Sequence, residues 1–151
     1  MDLDLRGPDL ATRFGLKHRP DLPDYLRGKA GLAAALCRYE RNLALALNSA
    51  PVTDAAKILQ DLAFSEQLLA LQRQLQPDIM LFDTPPMLMT DDVISLAGNV
   101  DAVLLVIDGS ATAPADLAAC ERMLDARLPL LAVVLNKAQD HGLDRSLSGP
   151  N

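Results

Sequence analysis

Apolar residues cluster along this chain in two different rhythms. Three short stretches are rich in branched apolar residues and close on a polar one: Ile79 to Asp83, Ala102 to Asp108 and Leu130 to Asn136. Each is apolar nearly throughout instead of alternating, so both of its faces are expected to be covered, as in a parallel sheet flanked by helices. Leu43 to Leu47, which alternates Leu with Ala, is a weaker strand candidate. Elsewhere the spacing turns helical. From Asp54 to Leu75 the residues Ile58, Leu59, Leu62, Leu69 and Leu75 share one stripe. In a second helix, from Pro114 to Leu124, Thr112 can cap the start, Pro114 and Asp116 suit the first turn, and Leu117, Cys120 and Leu124 face inward. Strands alternating with helices predict an α/β fold, a doubly wound, mostly parallel sheet with right-handed crossovers.

Composition narrows the function classes. With 151 residues, half of them hydrophobic, the chain can bury the core of one domain. Its 20 acidic against 14 basic side chains give a net charge of −6, which argues against binding a phosphate backbone, so nucleic acid is not an expected partner. Cys37 and Cys120 lie far apart in helix-like patterns and suggest neither a disulfide nor a metal site, which points to a reducing, cytosolic setting. The start, Met1-Asp2-Leu3-Asp4-Leu5-Arg6, lacks the order of a signal peptide, and no apolar run approaches the ~18 residues of a membrane span. No repeat or second domain is visible. Residues 1–140 are read as one domain, and residues 141–151, with little to bury, as a flexible tail.

In an open parallel sheet the ligand crevice lies at the carboxyl ends of the strands. Asp83 closes such a strand and precedes Thr84-Pro85-Pro86. An aspartate there can hold Mg²⁺ through water beside a nucleotide's phosphates. It can equally be a strand-end residue capping a turn before prolines. Asp2 and Asp4 share one side of an extended segment, where two carboxylates can serve a metal or take a hydroxyl proton. A solvated, frayed terminus is the plainer reading of that segment alone.

Taken in order, the motifs resemble a family. Asp2-Leu3-Asp4-Leu5-Arg6 with Pro8, Leu10 and Phe14-Gly15-Leu16 resembles the modified second Walker motif of the bacterial tyrosine kinases of capsule and exopolysaccharide synthesis. Asp24-Tyr25-Leu26-Arg27-Gly28 is similar to that family's Asp-Tyr-Leu-x-Gly segment, and Phe82-Asp83-Thr84-Pro85-Pro86 with Thr90-Asp91 to its Walker B strand and the helix start after it. Val100 to Val106 and Val133-Val134-Leu135-Asn136-Lys137 resemble its last two core strands. The resemblance implies a P-loop NTPase-like fold and a kinase that uses ATP and Mg²⁺ to phosphorylate tyrosines and controls polysaccharide export. It also implies self-association and a membrane activator as partner, which would place the protein in the cytoplasm at the inner face of the membrane. It assigns Asp83 and Asp4 to the metal, Asp2 and Asp4 to activation of the tyrosine hydroxyl, and Asn136 to the adenine edge. Asn136 reads equally well as a strand-ending turn residue.

The chain also departs from that pattern. A glycine-rich loop ending in Gly-Lys-Ser or Gly-Lys-Thr should precede the Asp2 motif by a strand and a helix, because its amides and lysine cradle phosphates. The one Gly-Lys pair, Gly28-Lys29, lacks the preceding glycine and the following hydroxyl and reads as a loop charge. Met1 stands where the family carries an apolar strand, so the sequence suggests a truncated frame, a misassigned start, or a fragment whose other half is a separate chain. The family's C-terminal tyrosine cluster has no counterpart; Tyr25 and Tyr39 read as packing or surface residues. Asp54-Ala55-Ala56-Lys57-Ile58-Leu59 replaces the family's Pro-x-Glu-Leu-Leu helix start, and His18 and His141 lie in polar segments with no partner at ligand spacing. The expected function is therefore a partial tyrosine kinase domain, inactive alone. The alternatives are a relative of the chromosome-partitioning and septum-positioning switch ATPases, or a non-enzymatic binding remnant.

Overall fold

The computed structural model describes residues 1–16, 22–125 and 128–138. Both histidines and the tail at 141–151 lie outside the described residues. The chain divides into two compact units, Met1–Val100 and Asp101–Asn151.

The first unit is built on the extended segment at the start of the chain. Asp2 donates its N–H to the Ala46 carbonyl at 2.8 Å on one side. On the other, Asp83 N–H donates to the Met1 carbonyl at 2.9 Å and Leu3 N–H to the Asp83 carbonyl at 2.7 Å, which makes a parallel bridge between Asp2 and Asp83. The pleat turns Leu3 and Leu5 into the core, where Met80 and Phe82 join them. Among the described residues the expected strand at Ile79–Asp83 forms that single bridge, next to a hydrogen bond from the Met1 amino group to the Leu81 carbonyl at 2.7 Å. Its alternate side chains Ile79 and Leu81 are each 76% exposed, so the uniformly apolar run is covered on one face and not on two.

Short helices α1 (Leu10–Arg13), α2 (Leu22–Leu26) and α3 (Leu32–Ala35) lead into an antiparallel hairpin of β1 (Leu36–Glu40) and β2 (Leu43–Ala46). The Leu-Ala alternation does form a strand. Its partner β1, with Cys37 on it, replaces the helix-like reading of that segment. Pairing shifts between Arg38 and Glu40, which leaves Tyr39 as a bulged residue.

The single helix expected from Asp54 to Leu75 is two, α4 (Ala55–Gln60) and α5 (Leu62–Leu75). Asp61 separates them with extended backbone, and its carboxylate caps α5 by accepting the Ala63 N–H at 3.0 Å. The break re-phases the helix. Phe64, Leu68 and Leu71, at i, i+4 and i+7, are buried, whereas Leu62, Leu69 and Leu75 of the expected stripe are exposed. Gln76 ends α5 in the left-handed conformation. A short α6 (Asp92–Ser95) follows the Asp-Thr-Pro-Pro turn.

The second unit is a β-α-β element of β3 (Val103–Asp108), α7 (Pro114–Asp125) and β4 (Leu130–Asn136). β3 and β4 pair in parallel from Leu104 opposite Ala132 to Asp108 opposite Asn136. The last apolar run is a strand over the expected residues, and Cys120 and Leu124 of α7 are buried as expected, with Leu117 partly so. Thr112 does not cap α7; its hydroxyl accepts the Asp108 N–H at 3.0 Å, while Asp116 accepts the Ala113 N–H. Leu105 is buried but Leu104 and Val106 are 52% and 56% exposed, and β4 is exposed throughout. Among the described residues the architecture is thus α/β with one two-stranded parallel sheet and one two-stranded hairpin, smaller than the doubly wound sheet expected.

Candidate functional site

The parallel bridge brings two of the sequence-predicted carboxylates into register. Asp2 is fully buried, and neither of its carboxylate oxygens has a hydrogen bond of ordinary geometry among the described residues, although the backbone N–H groups of Asp4 and Leu10 approach it and oppose the rise of its pKa. Burial first, then the neighbouring charges of Asp83 and Asp4, raise its pKa to about 6. Asp83, more exposed, is also raised, by desolvation and by the charges of Asp9 and Asp4, against the lowering pull of the amino terminus and Arg13. Asp4 is half-buried and accepts the Gly7 N–H at 2.9 Å, which curls the chain away just after the acidic pair. Three carboxylates lie near one another around the bridge, with the amino terminus and Arg13 the cations that act on Asp83. Such a cluster favours a bound cation or a shared proton.

Arg6, the next residue along, does not neutralise this cluster. Its Nε and terminal nitrogen donate to the two carboxylate oxygens of buried Asp92 at 2.7 and 3.2 Å. That fork ties the loop after Asp4 to the helix after Asp83, and leaving either partner alone would strand a charge. Sequence reasoning named Thr90-Asp91 and passed over Asp92; the signal was an arginine in an otherwise acidic motif, which needs an acid elsewhere. It also passed over Asn48, a polar residue closing β2 and Leu47, buried with its side-chain NH2 group lacking a partner among the described residues.

Gly28-Lys29 behaves as a turn. Gly28 takes a left-handed φ of 71°, and the N–H groups of Gly28, Lys29 and Ala30 donate to carbonyls of Tyr25 and Asp24, so they close α2 and are not presented to a phosphate.

In the second unit, Asn136 ends β4. Its side-chain oxygen accepts the Lys137 N–H at 2.9 Å and its carbonyl accepts the Gly109 N–H at 2.8 Å. Lys137 Nζ reaches Asp108 at 2.7 Å, and this bond, with those from Ser110, holds the Asp108 carboxyl well below the usual carboxylate range. Gly109 lets the two strand ends approach: a Cβ there would stand 3.0 Å from Leu135 Cδ1 and 3.3 Å from the Asn136 carbonyl.

Among the described residues no three His, Cys, Asp or Glu side chains gather as a metal cage. A Mg²⁺ ion needs only one or two carboxylates where water and phosphate oxygens supply the rest of its shell. A polyphosphate finds no cradle of amides or lysine in either unit as described.

Comparison with known proteins shows what the chain is similar to. The chain is 29% identical over 138 residues to the tyrosine-protein kinase YwqD of Bacillus subtilis, covering 90% of this chain and 57% of that protein. It superposes on the crystal structure of the VpsO kinase domain with a TM-score of 0.81 at 29% identity, over 91% of this chain and 68% of that one. In sequence and fold the chain is similar to bacterial tyrosine kinases. The kinase domain of the Escherichia coli tyrosine kinase ETK, at 22% identity with a TM-score of 0.76 over 91% of this chain and 56% of that one, shares the fold. No protein-family model matches the chain. It spans little more than half the length of its curated tyrosine-kinase relative. No helix among the described residues is long and apolar enough to cross a membrane.

The burial of Asp2 has a measurable consequence. Its folded pKa, about 6, lies above the ordinary value of 3.8, so the folded state holds the proton more tightly than the unfolded one. Stability is then greatest below pH 3.8 as far as this group is concerned, and it falls as pH rises through 6. Two pKa units correspond to about 3 kcal/mol. Asp2→Asn, whose amide keeps some unmet polarity, is expected to stabilise the chain by about 1–2 kcal/mol at pH 8 and to flatten the decline between pH 4 and 7. Urea unfolding at pH 5 and pH 8 checks it; equal pH slopes in the two proteins would remove Asp2 as the cause.

Proposed function

We propose that this chain is the acidic portion of a tyrosine kinase nucleotide site that serves control of exopolysaccharide or capsule synthesis, and that it is catalytically silent by itself. The observation that supports the reading is the Asp2–Asp83 bridge, which sets a buried carboxylate, without a hydrogen bond of ordinary geometry among the described residues, beside a strand-end aspartate in the order of the family's motifs. Asp83 and Asp4 are the residues that would hold Mg²⁺, which supplies charge neutralisation and orientation to a phosphoryl group. Asp2 and Asp4 would accept the proton of the incoming tyrosine hydroxyl; a raised pKa suits Asp2 to that exchange near neutrality. Asn136, at the end of β4 in the second unit, would meet the base. Because phosphoryl transfer rests on positioning and charge stabilisation, absence of the Gly-Lys-Ser/Thr loop removes most of the available acceleration. A membrane activator, self-association and a place at the inner face of the membrane follow from the same reading.

The test is to fuse the phosphate-loop strand and helix of the Bacillus relative ahead of Met1. The fusion is expected to phosphorylate a tyrosine-containing polymer with Mg-ATP while the chain alone does not. A folded fusion with no activity would count against the kinase reading.

A further inference from the structure

The two tyrosines of this chain differ sharply in what their hydroxyls can do. Tyr25 is 2% exposed, and its hydroxyl donates to the Gln67 carbonyl at 2.7 Å. Tyr39 is 42% exposed and its hydroxyl has no hydrogen bond among the described residues. It sits where β1 and β2 slip register, and such a bulge takes a residue out of the ladder and re-aims its side chain. Residues Arg38 to Ala44, the whole tip of the hairpin, are exposed. β1 pairs with β2 alone among the described strands, so its other backbone edge is open to an enzyme's own extended segment. Phe14 meets the ring edge-on, with centroids 5.0 Å apart and planes at 72°, a contact that favours one placement of the phenol.

We infer that Tyr39 is a phosphorylation site, a phosphoacceptor for a complete tyrosine kinase acting in trans. The phenolic oxygen forms a bond to the γ-phosphorus of ATP held by that kinase. The bond from this phosphorus to the β–γ bridging oxygen breaks, ADP leaves, and the phenol proton passes to a base of the kinase. The product carries a charge of about −1.5 to −2. Arg38 and Arg41, one residue before and two after, supply guanidiniums for charge-assisted hydrogen bonds to it. Glu40 opposes them with one charge, so the local balance still favours the phosphate. In this role the chain is a substrate, and the inference stands whether or not the chain itself can transfer phosphate.

The experiment incubates the full chain with a complete family kinase that is active on a tyrosine peptide in the same tube, using Mg-ATP labelled in the γ-phosphate, and maps the label by mass spectrometry. Label is expected on Tyr39 and to fall at least tenfold in Tyr39→Phe, while Tyr25→Phe keeps it. Nitration by tetranitromethane gives a kinase-independent reading in the wild-type chain, so a Tyr25 variant that fails to fold does not block the test; Tyr39 is expected to react well before Tyr25. Label that persists in Tyr39→Phe, an unlabelled chain beside a labelled peptide, or preferential nitration of Tyr25 would each overturn the assignment.

Discussion

Asp83→Ala, made in the fusion that supplies the phosphate loop, is expected to lower kcat at least about 100-fold, the scale seen when one preorganised charge-stabilising group is removed. Asp83 is the residue whose backbone closes both hydrogen bonds of the bridge to Met1 and Leu3, so the backbone keeps its place when the carboxylate goes. Its side chain is exposed instead of buried with its partner Asp2, which lets it reach a metal without unfolding anything. Loss of the carboxylate should therefore appear in kcat with little change in melting temperature. Asp2→Ala, by contrast, changes a buried position and mixes stability with rate. Wild-type activity in Asp83→Ala would mean that the strand-end aspartate is a turn residue and that the metal assignment is wrong.

Thermal unfolding of the isolated chain is expected to begin below about 65 °C, the upper end for ordinary mesophile domains, and to lack a single sharp transition. Two compact units each bury a small core, and two-state melting belongs to single cooperative domains. Ile79 and Leu81 in the first unit, and Leu104, Val106 and Leu131 in the second, leave large apolar side chains in water on backbone that is extended or nearly so. Open apolar strand edges recruit other chains, and a net stability of only ~5–15 kcal/mol leaves little to hold them back. Light scattering should rise with concentration before the melt. A monomer that unfolds cooperatively above about 65 °C would show that these side chains find cover within one chain.

Those same residues mark the limit of what the sequence could say. β4 and α7 were legible because a long branched apolar run and a Pro-Asp first turn each admit one element type. Ile79 to Asp83 misled on burial, since an apolar run states what a strand can tolerate on its two faces and not whether partners exist to cover both. β1 was hidden behind Leu32-Ala33-Ala34-Ala35, where good helix formers lead directly into Leu36 and Cys37 with no glycine or proline to mark the change. The break at Asp61 was written as one cap-forming residue inside a helical rhythm, and propensity sums do not resolve a single residue. At the site, the sequence marked Asp2 and Asp83 in two separate motifs, and the bridge between their backbones was not part of that reading. The Arg6–Asp92 fork was not foretold, because an ion pair 86 residues apart in sequence leaves no local trace.

Calorimetric titration of Mg-ATP into the purified chain, alone and after fusion to the phosphate loop, tests most directly whether this is the acidic portion of a kinase site. The chain alone presents Asp4 and Asp83, with Asp2 buried behind them, to a polyanion and should give no binding heat up to millimolar nucleotide, whereas the fusion should bind. Micromolar affinity in the chain alone, a binding free energy of about −8 kcal/mol, would contradict the account, because it would require a phosphate cradle that none of the described residues provides.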